Sequence, residues 1–409
     1  MHLIVIGGGA AGFFCAVNAA RMNTALKVSL VEKTGKLLAK VRISGGGRCN
    51  VTHACFSIPD MMKKYPRGGN FVKKAFHEFF TEDTISWFNE RSVKLKTEKD
   101  GRMFPVTDSS ETIINCLLSE AKKYNVGIRT NREVRSLVKT ENGWTVQYTD
   151  GESEYADFIC VACGGYPKEN MFGWLKETGH SVEAPVPSLF TFNMPGNAIT
   201  QLTGVSTEAK ARIQGTKLEE TGAVLITHWG MSGPAVLKLS ARGARELNAV
   251  KYQFTALINW CPGYNENSLR ETITNLRQSN PSQKIINGNV FDVPRRLWEF
   301  LITESDIHAD LRWADLSTGK LNALIKNLSA HELKVQGKTT FREEFVTAGG
   351  IRLPEVNAAT MESRIAQGLY FAGEILDVDG VTGGFNFQHA WTSGWIAAKS
   401  ISARSLSAK

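Results

Sequence analysis

HLIVIGGGAAGFFCAVNAA, residues 2–20, is the stretch on which the fold turns. An apolar run ends at Gly7, and a helix-like run starts after Gly9. Gly7, Gly9 and Gly12 stand at the spacing of a dinucleotide-binding turn: the first for a sharp exit from the strand, the second so that backbone approaches a pyrophosphate, the third for close helix–strand packing. The next apolar run, KVSLVE, ends at Glu32, twenty residues past Gly12. A carboxylate there accepts from both hydroxyls of a ribose. The helix that follows offers unpaired N–H groups and a partial positive charge to phosphates. An adenine dinucleotide is the ligand this pattern implies. Its place at the start of the sequence favours FAD over a loosely held nicotinamide.

Composition sets the frame. The chain has 409 residues, room for two or three domains. Its apolar content of 42% and charged content of 22% are those of a soluble globular protein. No apolar run is long enough to span a bilayer. The apolar N-terminus lacks the basic flank of a signal peptide, so a cytoplasmic protein without a membrane partner is expected. A net charge of +8 favours acidic partners such as phosphates, carboxylates or RNA. Clusters such as Lys63, Lys64, Arg67, Lys73 and Lys74 also fit an ordinary solvated surface.

Seven cysteines without regular spacing argue against a disulfide framework, and no zinc pattern is present, so no metal is expected. Cys160 and Cys163 form a CxxC inside FICVACGG. Residues three apart on a strand point to opposite faces, which argues against a redox pair.

Periodicity predicts helices over residues 70–90 and 108–125. WTVQYTDGESEYADFICVA reads as a meander with a DG turn, feeding a buried parallel strand at FICVACGG. From about Pro185 the texture changes. SLFTFNMP, LTGVSTEAKARI, GAVLITHWG and KYQFTALINW are short strands, an inserted antiparallel sheet or barrel. THWGMSGPAVLKLS places Ser232 and Gly233 at a helix cap and Pro234 at its first position. Residues 265 to 330 read as helical, LKVQGK and EEFVTAGGI as strand again. The chain ends with a strand, GLYFAGEILD, and a glycine-led helix, GVTGGFNFQHAWTSGWIAAKSI.

Three further groups carry chemistry. Gly373 and Glu374, with Asp377 shortly after, follow a strand where an acidic residue meets a ribityl chain. Gly383, Gly384, Phe385, Asn386 and Phe387 present backbone N–H groups at a helix N-terminus, suited to negative charge on a reduced flavin. Ser44–Asn50, SGGGRCN, lets backbone lie against a flat ring or a phosphate beside Arg48. For catalysis the candidates are His228, His389 and Cys49, the two histidines as proton donors and the cysteine as a nucleophile for which the sequence shows no base. Arg48 and Arg102 are candidates to hold a substrate anion. A second GxGxxG is missing, so a nicotinamide donor has no Rossmann site of its own.

GGGAAG, ISGGGRCNVT, GRMFPV, THWGMSGPAVLKLS, FVTAGGI and GLYFAGEILDVDGVTGGFNFQHAWTSGW together resemble the bacterial BaiN-like, or aminoacetone-oxidase-family, NAD(P)/FAD-dependent oxidoreductases. The resemblance covers nearly the whole chain. It implies an α/β architecture: a glutathione-reductase-like FAD-binding Rossmann domain, an inserted β-barrel domain, and a helical subdomain nested in that barrel. The corresponding boundaries are 1–187 and 346–409, 188–262 and 331–345, and 263–330. It also implies FAD contacts at Gly9, Ala10, Ala11, Glu32, Lys33 and Lys40, at Arg48, Cys49 and Asn50, and at Gly373, Glu374, Phe385, Asn386 and Phe387. The expected activity is hydride transfer from NAD(P)H, a transient donor, through flavin N5 to an activated C=C bond, in a small enone or in the uracil ring of ribosomal RNA. An amine oxidase yielding hydrogen peroxide and a non-enzymatic flavin-binding protein are the alternatives. The oligomeric state is left open.

Overall fold

The computed structural model describes residues 1–339 and 346–407. Contacts divide the chain into two compact units, Met1–Ser188 with Arg342–Lys409, and Leu189–Phe341.

The first unit is built on β1 (His2–Ile6), buried along its whole length. It pairs in parallel with β2 (Lys27–Val31) on one side and with Phe158–Val161 on the other. Leu369–Phe371 and Gly127–Arg129 complete a five-stranded parallel sheet. A strand covered on both faces needs a continuous apolar sequence, which HLIVI and FICV supply. Strand order reverses at β1, so the crevice beyond its C-terminal end is where such a sheet binds a ligand. Helix α1 (Ala10–Met22) follows β1 directly.

The meander forms as expected, with Trp144–Tyr148 pairing antiparallel to Ser153–Ala156 and to Val134–Lys139. The stretch read as one helix over 70–90 is two, Gly69–Phe76 and Thr81–Asn89. The break is capped locally, because Phe80 donates its N–H to the Asp83 carboxylate at 2.7 Å. Ser110–Lys123 is one helix, as read. Val182–Ser188 and Val346–Ile351 pair antiparallel where the chain leaves this unit and returns. The first three residues of the strand read at EEFVTAGGI, and the 340–345 part of the expected barrel domain, lie outside the described residues.

The second unit is a seven-stranded sheet. Its order runs His331–Gln336, Gln253–Asn259, Ser206–Ile213, Glu219–Thr227, Gly230–Ser232, Thr191–Asn193 and Lys338–Thr339. The first and last strands are two stretches of one segment, separated by Gly337 at φ 106. This left-handed backbone suits glycine and redirects the strand. Pro234 opens the helix Pro234–Arg242 behind Gly233, as read. Helices Glu266–Ser279, Arg295–Glu304 and Thr318–Ser329 pack into the sheet's own core, where Trp298, Leu301, Leu324 and Leu328 join Ile258 and Leu333 in one apolar cluster.

Among the described residues no helix is long and apolar enough to cross a membrane. No group of three or more His, Cys, Asp or Glu is arranged to hold a metal ion among them. All seven cysteines are free.

Candidate active site

Gly7 leaves β1 at φ 114 and donates its N–H to the Val31 carbonyl at 2.8 Å. A methyl group at Gly12 would lie 1.9 Å from the Gly7 carbonyl oxygen, so α1 and the turn are in backbone contact. Above Gly9 the opposite holds: nothing lies within 4 Å of a Cβ placed there. No side chain caps α1. The N–H groups of Gly9, Ala10 and Ala11 have no acceptor among the described residues. Open space before an uncapped helix N-terminus fits a pyrophosphate.

Glu32 directly follows β2, at the end of the apolar run as read. One carboxylate oxygen accepts from the Gly8 N–H at 2.9 Å, the other from the Thr34 N–H and hydroxyl, each at 2.9 Å. These bonds fix the carboxylate and leave it lone pairs for ribose hydroxyls. Beside it, the Lys33 ammonium stands 5.6 Å from the Tyr166 ring centre.

The two ends of the sequence meet across this crevice. Lys40 donates to Glu374 at 2.6 Å, and the other Glu374 oxygen accepts from the Thr347 N–H at 2.8 Å. The Thr347 hydroxyl is buried and has no partner. A Cβ on Gly165 would be 2.7 Å from it. An orphaned buried hydroxyl beside a fixed carboxylate is a place for a polar ligand atom. Gly373 donates its N–H to the Ser393 hydroxyl at 2.8 Å.

A second junction joins residues 50–53 to the last helix, Phe385–Ser407. Asn50 accepts from the Gly384 N–H at 2.9 Å and donates to the Thr52 carbonyl at 3.0 Å. His53 meets the Gly383 carbonyl at 3.0 Å and lies on the Phe385 ring, centres 4.6 Å apart. Asn386 bonds reciprocally with the backbone of Gly380, at 2.8 and 2.9 Å. Phe387 stacks on Trp391. The N–H groups of Phe385, Asn386 and Phe387 keep no partner among the described residues and form the second dipole end. These residues fit FAD: one uncapped helix end for the pyrophosphate, Glu32 for the adenosine ribose, Glu374 and Thr347 for the ribityl chain, the other helix end for the ring's polar edge.

Arg48 and Arg102 are engaged by the protein itself. Arg48 pairs with Glu98 at 2.6 Å and covers the Phe104 ring at 4.0 Å, while Arg102 pairs with Asp100 at 2.7 Å and Glu98 at 3.1 Å. Cys49 is fully buried at φ 61, and burial pushes its thiol up to about 12, so it is a neutral thiol at neutral pH. His389 is also buried, and neither ring nitrogen has a hydrogen-bond partner. Burial drives its pKa down to about 4, which leaves the imidazole neutral. His228 stands apart from both. It is exposed in the turn between Glu219–Thr227 and Gly230–Ser232, its ring edge-on to Trp229.

The sequence reading missed several supports. Asp379 is fully buried, paired with Arg67, and accepts from the Ser188 hydroxyl at 2.8 Å. Burial raises its pKa above the ordinary carboxylate range, against the opposing pull of Arg67. Tyr65 donates to the Phe385 carbonyl at 2.6 Å, and Gln388 accepts from Thr52 at 2.6 Å and Thr84 at 3.1 Å. An aspartate inside the Gly-rich run LDVDGVTGG was the available signal for Asp379.

The buried histidines predict a pH response. His331 in the second unit is held near 4 by burial and accepts from the Trp260 indole at 3.2 Å. Both rings are neutral when folded but bind a proton near pH 6.5 when unfolded, so stability is full above pH 6.5 and falls toward pH 4. Each ring removes about 2 kcal/mol between pH 6.5 and pH 5. Urea unfolding at pH 7, 6 and 5 checks this, and His331→Gln flattens the slope.

Comparison with known proteins follows the same lines. The HI0933-like protein Rossmann domain matches residues 1–400. The chain is 31% identical over 408 residues to the ribosomal RNA dihydrouridine synthase of Escherichia coli, covering 97% of each. It is 28% identical over 412 residues to the 3-dehydro-bile acid delta(4,6)-reductase of Clostridium scindens, covering 98% of each. The solved 3-ketosteroid-delta4-(5alpha)-dehydrogenase of Rhodococcus jostii shares the fold, with a TM-score of 0.51 at 12% identity over 97% of this chain and 96% of that one. With the paired cradles above, these matches place the chain in the HI0933-like family of flavoprotein oxidoreductases, built on a Rossmann-type FAD-binding domain.

Proposed function

We propose that this protein is an NAD(P)H-dependent reductase of a C=C bond conjugated to a carbonyl, in a small enone or in a uracil ring of ribosomal RNA. Bound FAD supplies a hydride acceptor and donor at N5. The observation that carries the reading is the convergence of Lys40, Glu374 and Thr347 beside the free N–H groups of residues 9–11. Gly9, Ala10 and Ala11 hold the pyrophosphate, Glu32 the ribose, and Glu374 the ribityl chain. Phe385, Asn386 and Phe387 steady negative charge at the ring through their N–H groups. Both named relatives support an unsaturated carbonyl acceptor, since a delta(4,6)-reductase and a dihydrouridine synthase each add hydrogen across a conjugated double bond. The net charge of +8 supports an anionic acceptor over a cationic amine. The seven-stranded sheet, whose two outer strands are joined at Gly337, supports the inserted barrel of this reading, and the helices within 266–329 support its nested helical part.

Reduction at a carbon β to a carbonyl leaves an enolate that must take a proton. We assign the donor role to His228, the exposed imidazole, because His389 and Cys49 are buried away from the surface that a substrate meets. Anaerobic mixing of the yellow protein with NADH or NADPH is expected to bleach it. An enone, or ribosomal RNA lacking dihydrouridine, is expected to restore the colour without peroxide. His228→Gln slows that second step about 100-fold and leaves the first unchanged. Salt separates the acceptors, because RNA turnover weakens steeply with ionic strength and enone turnover does not. Failure of both nucleotides to bleach the protein, or peroxide formed from an amine without a nicotinamide, overturns the reading.

A further inference from the structure

A groove of about 920 Å³ runs between the start of the helix Gly69–Phe76 and residues Leu353–Ala359, all within the first unit. Its size suits a nucleotide-sized ligand. Two cations line it, Lys74 and Arg364, both exposed. Three other cations of this unit are neutralised: Lys63 by Asp60 at 2.7 Å, Arg404 by Glu362 at 2.5 Å, Arg67 by Asp379. Lys74 and Arg364 have no carboxylate partner among the described residues, and no acidic side chain lines the groove. Glu355, next to it in sequence, is turned to the Ser181 N–H at 2.8 Å. Asn70 and Asn357 add amide donors. Two unneutralised cations with neutral donors around a concave space form a site for a multiply charged anion.

The groove also has a fixed relation to the flavin cradle. A Cβ placed on Gly68, on its wall, would lie 2.6 Å from the Val378 side chain and 3.2 Å from the Asp377 carbonyl oxygen. Those residues belong to the segment joining Glu374 to Gly384. The chain meanwhile lacks a second GxGxxG for a nicotinamide nucleotide.

We infer that this groove binds the phosphates of the nicotinamide dinucleotide that delivers hydride to the flavin, with Lys74 and Arg364 as the phosphate ligands. The inference rests on the reductase reading above. The test uses the FAD-loaded enzyme and its Lys74→Glu/Arg364→Glu variant in anaerobic stopped flow with NADPH and NADH. The variant is expected to raise KM for the nucleotide at least tenfold, with the effect falling on KM and not on the rate at saturation. Dithionite reduces both forms alike, which shows an intact flavin site. Inorganic pyrophosphate competes with NADPH in the native enzyme and loses that effect in the variant. Lys74→Arg/Arg364→Lys keeps the native KM. An unchanged KM in the charge-reversed variant overturns the inference and leaves the reductase reading standing. A rise in KM for ribosomal RNA alone also overturns it, making the groove an RNA contact. If neither nucleotide reduces the native flavin, both readings fall.

Discussion

Gly12→Val is expected to give a folded, colourless protein. The first carbon of any side chain at this position meets the Gly7 carbonyl oxygen at 1.9 Å, and that atom is backbone. Neither partner is free to yield. The turn is tied by the Gly7–Val31 hydrogen bond of 2.8 Å. Helix α1 is pressed on its other side by the last helix, where a Cβ on Gly394 would already stand 2.6 Å from the Ala11 carbonyl. The helix start must shift, carrying the N–H groups of residues 9–11 out of register with a pyrophosphate. A displacement of this kind costs about 3 kcal/mol, or roughly 100-fold in FAD affinity. Absorbance of the purified variant near 450 nm reads the cofactor, and circular dichroism reads the fold. A yellow Gly12→Val protein that holds FAD as tightly as the native one removes the pyrophosphate site from α1.

Arg67→Met is expected to be the most destabilising single change on the outer side of the cradle. It strands the Asp379 carboxylate, which is fully buried and otherwise held by the Ser188 hydroxyl. Breaking a buried pair from one side costs about 3–5 kcal/mol, because a charge is left without compensation. Arg67→Met/Asp379→Asn removes that charge and is expected to lose less than the single variant. Urea unfolding of the three proteins checks the order. Equal losses in Arg67→Met and the double variant would show that packing, not charge, is at stake.

The contrast between these two sites shows what the sequence carries. Gly12 was legible because its role is local: the constraint lies between residues 7 and 12, and a fixed spacing records it. The central strands were legible for a similar reason, since burial on both faces demands the unbroken apolar runs HLIVI and FICV. The Arg67–Asp379 pair spans 312 positions and has no periodicity to announce it. The same holds for Asn50 against Gly384 and for the hydroxyl of Thr347 beside Glu374. Family resemblance proposed Lys40 and Glu374 separately, and only the fold brings them to 2.6 Å. The break in the 70–90 helix was missed because the Asp83 side chain, in the first turn of Thr81–Asn89, accepts from the Phe80 N–H and outweighs an uninterrupted apolar pattern. The carboxylates that Arg48 and Arg102 face, Glu98 and Asp100, are likewise set by the fold and not shown by a sequence.

The segment 331–339 has a consequence for biosynthesis. Strands 253–259 and 191–193 find their outer partners only in this segment. While the chain is being made, both remain bare templates for intermolecular pairing, through the whole synthesis of the intervening helices. A polypeptide terminated ahead of His331 is thus an aggregation hazard, and nine late residues act as the clasp that renders this half of the molecule safe in a crowded cell.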